Sequence, residues 1–295
     1  MEGRKTGTAG ERRAAAFIAA EMKSIGLTPM GDSGYYQKVP FVAGGRRGLR
    51  LLTTMDSLAL IPEADRRVGY NLIGVIRGSD SVLRDQVVVI GAHYDHEGIG
   101  KPVEGDSIFN GADDDASGVT AVLEIARAIA AGPAPKRTML FMAMTAEEYG
   151  ALGTRWYVRN PALPISQMVA DMEIEMIGRP DSLAGGAGKA WLTGYDRSTM
   201  GDMLRAASVP IVADPYPAQK FFERSDNIVF ARMGIPAHTL SSYNMHADYH
   251  TVADDVGKVD FAHMTAVIRA GVTAARLLAD GAAPTWKEGG RPPSN

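Results

Sequence analysis

Gln86-Val-Val-Val-Ile90, running on into Gly91-Ala-His-Tyr-Asp95, is the stretch from which the fold is read. Val87 to Ile90 are apolar and β-branched throughout, which predicts a strand covered on both faces. Residues 137–144 form a second run of this kind. Strand patterns also fall at 36–42, 49–54, 71–77, 168–176, 190–193 and 236–241. Helical spacing marks 10–25, 117–131, 147–158 and 260–280. In the first helix Ala14, Phe17, Ile18 and Met22 read as the inner face and Glu11, Arg12, Arg13 and Lys23 as the polar one, with Gly26 as the stop. In the last, Phe261, Met264, Val267 and Ile268 face inward. Strands alternating with helices predict an α/β fold, with a mixed, partly parallel central β-sheet sandwiched between helices. With no internal repeat or linker, residues 1–295 read as one domain, whose tail after Gly281 is expected to be mobile.

Bulk composition excludes more than it selects. A chain of 295 residues, 45% hydrophobic and 22% charged, is long enough for one large core. A net charge of -3 without a basic run argues against nucleic acid as a partner. The absence of cysteine removes disulfides, thiolate metal sites and a cysteine nucleophile together. No apolar run approaches the roughly 20 residues that span a bilayer. A secreted or periplasmic setting, with a leader already removed, is the expectation; a cytoplasmic one fits the same composition. Nothing in the sequence speaks to oligomeric state.

In an open α/β sheet, ligands bind beyond the carboxyl ends of the strands. Polar groups cluster at those places. His93 and Asp95 follow one strand, Glu147 and Glu148 another, Glu175 a third, and His250 lies in the loop after a fourth. Asp95, two residues beyond His93, is placed to accept the imidazole's other N–H. Asp113-Asp114-Asp115 precedes a helix, where one acid would serve as a cap; three abutting carboxylates call for a cation. Glu147-Glu148, read as the first turn of a helix, point in different directions, so one can bind metal while its neighbour reaches a water. Asp171 and Glu173 share a strand face with Glu175 and are expected to be edge, ion-paired or supporting groups. His238 and His263 read as structural. No partner identifies His96, and His246 is close enough to His250 for a supporting or pocket role. Nitrogen and oxygen donors without thiolate suit zinc, manganese or cobalt. The pattern indicates a metal-dependent hydrolase.

In order along the chain, Gly91-Ala-His-Tyr-Asp-His96, Gly111-Ala-Asp-Asp-Asp-Ala-Ser-Gly118, Thr145-Ala-Glu-Glu148, Glu175-Met-Ile-Gly178, Arg224-Ser-Asp226 and Asp248-Tyr-His-Thr251 resemble the M28 family of metallopeptidases, the co-catalytic zinc aminopeptidases. The resemblance implies two divalent ions, as zinc, bridged by Asp114, with His93 and Glu175 completing one site and Glu148 and His250 the other. It implies Glu147 as general base and acid, and Tyr249 as an oxyanion donor. A cis peptide after Asp114 is also expected. Arg224 and His246 are candidates for contacting a peptide substrate. Glu175 stands where many members carry aspartate, Asn227 where a histidine is common, and Val252 where a proline is often seen. On the same fold, a glutaminyl cyclase-like transferase, a carboxypeptidase and a catalytically silent scaffold are the alternatives.

Overall fold

A computed structural model describes residues 1–45 and 47–294. The strands in chain order are β1 (Thr28–Pro29), β2 (Tyr36–Ala43), β3 (Leu49–Leu51), β4 (Arg66–Ile76), β5 (Val87–His93) and β6 (Gly98–Val103). Then come β7 (Asp106–Phe109), β8 (Thr138–Met144), β9 (Met168–Ile174), β10 (Ala190–Leu192), β11 (Ile211–Ala213) and β12 (Ala237–Ser241). The α-helices are α1 (Ala9–Ile25), α2 (Gly118–Ala131), α3 (Leu152–Arg159), α4 (Met200–Ala206), α5 (Asn227–Arg232) and α6 (Phe261–Asp280).

The central sheet runs β11-β10-β12-β9-β5-β8-β4-β2-β3, with β1 paired to β4. Its middle is parallel, from β12 through β9 and β5 to β8. Beyond β8 the strands turn antiparallel through β4 and β2 to β3. At the other edge β10 lies antiparallel to β12 and parallel to β11. The mixed α/β sandwich expected from the strand and helix patterns is therefore the observed fold.

The double coverage of β5 explains its composition. Val88, Ile90 and Ala92 join Ile18, Ile125 and Val267 in the core beneath α1, α2 and α6. Val87 and Val89 face the other way, against Tyr157 of α3 and Phe230 of α5. Apolar residues at both parities are what a strand packed on two faces requires.

Several elements depart from expectation. The helix predicted over 147–158 begins only at Leu152, so Glu147 and Glu148 lie in a turn and no helix dipole accounts for them. Ala146, Gly150 and Ala151 all have left-handed φ (58°, 96° and 57°), which breaks any helix there. Glu11 is not on a polar face. It is buried and accepts from the Gly7 N–H and from the Tyr94 and Thr145 hydroxyls, while burial pushes its carboxyl up to about 7. Phe17 and Phe261, assigned inward, are 52% and 60% exposed, because they fall just outside the arc each helix turns to the sheet. The segment after Gly281 packs back: Trp286 Nε1 donates to the Gly234 carbonyl at 2.9 Å, and Lys287 pairs with Asp202 at 2.7 Å. Asn295 lies outside the described residues. No helix among those described is long and apolar enough to cross a membrane.

His238 is buried in β12 with a fixed tautomer. Nδ1 donates to the Thr193 carbonyl and Nε2 accepts from the Ser198 hydroxyl, each at 2.7 Å. Burial lowers its pKa from 6.5 to about 4. Between those values the unfolded chain takes up a proton that the native imidazole refuses, so stability is full above pH 6.5 and falls toward pH 4. Between pH 7 and 4.5 the expected loss is about 2 kcal/mol, and denaturant midpoints compared at those two values should show it. A His238→Gln chain that lost as much stability over that interval would remove His238 as the cause.

Candidate metal centre

The candidate residues converge at the carboxyl end of the parallel strands. His93 is the last residue of β5, Glu175 lies one residue past β9, and Glu148 lies in the turn after β8. Asp114 comes from the loop before α2, and His250 from the loop between β12 and α6. Two groups offer ligand atoms lying within 4.8 Å of one another: His93, Asp114 and Glu175, and His96, Asp114, Glu148 and His250. Asp114 belongs to both. His93 Nε2 lies 3.2 Å from Asp114 Oδ1, and His250 Nε2 lies 3.0 Å from Asp114 Oδ2 and 3.1 Å from Glu148 Oε2.

These side chains fit a metal pair on their hydrogen bonding. His93 Nε2, His96 Nε2, His250 Nε2 and Asp114 Oδ2 are buried atoms with no hydrogen-bond partner. Buried polar atoms are rarely left so, and three of these, His93 Nε2, His250 Nε2 and Asp114 Oδ2, lie together where their lone pairs suit a cation; the His96 ring turns Nδ1 to that point. His93 Nδ1 donates to the Asp95 main-chain carbonyl at 3.2 Å, which leaves the Nε2 lone pair facing Asp114. The orienting group is thus the carbonyl of Asp95 and not its carboxylate, whose Oδ1 is 3.8 Å from His93 Nδ1. That carboxylate instead accepts from the Glu147 N–H at 3.0 Å and the Thr6 hydroxyl at 3.1 Å.

Electrostatics follow the same geometry. Burial alone would raise the Asp114 carboxyl, but the imidazoles of His250 and His93 against its two oxygens hold it below the ordinary range. Burial opposes the His250 cation, yet Asp114 and Glu148 raise its pKa to about 10. Burial raises Glu175 to about 7 and pushes Glu147 well above its usual value.

The run Asp113-Asp114-Asp115 divides its work. Asp113 Oδ1 accepts from the Gly178 N–H at 2.6 Å, and Asp115 Oδ1 from the Met176 and Gly118 N–H groups at 3.0 and 2.9 Å. Those two acids stitch the loop to the end of β9, so they are backbone acceptors and need no cation; only Asp114 is left for the cleft. Its N–H and that of Asp113 donate to the Asp254 carboxylate. The Asp114–Asp115 peptide is cis. Gly111 is obligatory nearby: at φ +56° a Cβ would lie 2.1 Å from the Asp114 carbonyl oxygen and 2.6 Å from the His96 ring.

Three other placements change the sequence account. His96 is fully buried, donates from Nδ1 to Glu148 Oε1 at 2.9 Å, and meets His250 edge-on at 5.4 Å. Its odd spacing from His93 would put it on the opposite side of an extended chain. The backbone leaves the strand at Tyr94, and a second histidine within four residues was the available signal. Asp171 and Glu173 are not edge or ion-paired groups. They lie on the interior strand β9, both buried, with unpartnered oxygens and carboxyls that burial pushes well up. His246 Nε2 donates to Asp113 Oδ2 at 3.1 Å, a supporting position. Tyr249 stacks on His250 with centroids 3.9 Å apart, and Arg224 lies over the Phe221 ring at 4.9 Å; both line the cleft.

Residues 71–274 match peptidase family M28, a span that holds every candidate from His93 to His250. The chain belongs to peptidase family M28. A probable leucine aminopeptidase 2 of Aspergillus fumigatus is 29% identical over 193 residues, 64% of this chain and 36% of that protein. This M28 chain spans about a third of the length of the curated relatives it matches, the shares being 31%, 36% and 37%. Among solved structures, a zinc aminopeptidase from Bacillus subtilis superposes with TM-score 0.66 at 16% identity, over 94% of this chain and 91% of that one. The glutaminyl cyclase of Porphyromonas gingivalis gives 0.63 at 18%, over 92% of each.

Proposed function

We propose that this M28 chain is an aminopeptidase that removes N-terminal residues from peptides using two zinc ions. The observation that carries the reading is the pair of donor groups sharing Asp114, with the Glu147 carboxyl lining the same cleft and assigned to neither. His93, Asp114 and Glu175 would hold one ion, and Asp114, Glu148 and His250 the other, with His96 positioning Glu148. Such a pair would polarise the scissile carbonyl and lower the pKa of water bound there.

Glu147 accepts the proton of the attacking water and returns it to the leaving amine. Its main chain is fixed by the Asp95 carboxylate. Burial raises the Tyr249 phenol well above its ordinary range, so it stays protonated and can donate to the developing oxyanion. Asp114, Glu147, Glu148 and Glu175 line one wall, and a substrate's free amino end would meet one of the ions and the acids beside it there. Trp191, Phe221 and Tyr243 form an aromatic wall beside them for the first side chain.

The test is metal analysis paired with N-terminal amino acid anilides. About two zinc ions per chain, chelator-reversible cleavage of a leucyl anilide and no cleavage of its N-acetyl derivative are expected. Cleavage of the blocked substrate at equal rate would exclude an aminopeptidase. One ion with pyroglutamate formation would favour the cyclase alternative.

A further inference from the structure

A second cleft of ≈ 430 Å³ opens off the same centre, sharing Glu147, Glu148, Tyr249 and His250 with it. Its volume falls within the about 300–1,000 Å³ of small-ligand sites. Four guanidinium groups line it, each from a different part of the fold. Arg47 comes from the β2–β3 turn, Arg155 from α3, Arg224 from the segment before α5, and Arg232 from the end of α5. Among the described residues none of the four is in an ion pair, although other surface arginines of this chain are. Apart from the centre itself, Glu223 is the lone carboxylate in the lining. Burial, then the charge of Arg232, lowers the Arg155 pKa against the opposing charge of Asp226. Mutually repelling, unpaired cations on one concave wall form a site for an anion.

The cleft is therefore polar end to end. Carboxylates line the side that also carries the aromatic wall; Arg47, Arg155 and Arg232 line the side beyond Glu147, and Arg224 borders both. We propose that this arginine-lined cleft is a carboxylate-recognition subsite for the leaving part of the substrate. The inference rests on the aminopeptidase reading. It adds the substrate class: peptides with a carboxylate just past the scissile bond, either the chain terminus of a dipeptide or an acidic side chain in the second position. A bidentate guanidinium contact matches either source, because each presents the same planar pair of oxygens.

The experiment measures binding, so it does not depend on turnover. Zinc-loaded Glu147→Ala protein is titrated calorimetrically with leucyl-glycine, leucyl-glycinamide and leucyl-glutamic acid α-amide. The terminal carboxylate should tighten binding about tenfold over the amide, or the glutamate side chain should do so. Which of the two does so identifies the source. Arg47→Gln/Arg232→Gln, on the rim, should bring the charged-to-neutral ratio toward one, and added salt should reduce it. Equal affinity for all three peptides overturns the subsite, even for an active aminopeptidase. A charged-to-neutral preference that survives the double substitution overturns it as well. Preference for the charged peptide in a chain whose unsubstituted form cleaves none of them supports the subsite and removes the peptidase reading instead.

Discussion

Glu147→Ala lowers turnover by about 10²–10⁴-fold while the bound metal stays at its full complement. The two halves of that result come from different features. Glu147 lines the cleft but belongs to neither donor group, so its loss takes no ligand away. Its place in the turn is set by the main chain, through the Asp95 carboxylate, and by the left-handed residues on either side. Alanine there keeps the backbone and removes the proton acceptor alone. Steady-state rates beside metal analysis of the same preparation make the comparison. Turnover within a few-fold of the parent would remove Glu147 from the base role, and a fall in metal content would make it a ligand.

Asp114→Ala has the opposite signature: metal content and activity vanish together. Asp114 is the residue the two donor groups share, and its two oxygens face different histidines, Oδ1 toward His93 and Oδ2 toward His250. Removing it opens both groups at once and leaves His93 and His250 without the carboxylate that holds them. Zinc per chain should drop from about two to near zero, with rates at background. A variant retaining one ion would show that the two groups fill independently.

The fold was legible because its decisive strands are covered on both faces. A run such as Val87–Ile90 cannot alternate, and its uniform apolarity marks a central parallel strand. Short pieces such as β11, α4 and α5 carry too few residues for a period to emerge. The convergence of the candidates was legible too: His93, Glu148 and Glu175 follow strands, and Asp114 and His250 come from loops that meet them. Three-dimensional division of labour was not. Nothing in Asp-Asp-Asp says that the outer two acids bond backbone N–H groups while the middle one turns to the cleft. Spacing does put Glu11 on the inner face, seven residues before Ile18, but its acid identity masked this, and its partner Thr145 lies far along the chain. Such placements depend on chain segments that meet only after folding.

The parallel interior supplies the chemistry and the periphery supplies the walls. His93 and Glu175 ride on or just past interior strands whose packing leaves little freedom, whereas Trp191 is on the short β10, one strand in from the sheet margin, and Phe221, Arg47 and Arg224 sit in turns and short connections. Replacements at those outer positions would reshape the walls of the cleft while leaving in place the interior strands that carry His93 and Glu175.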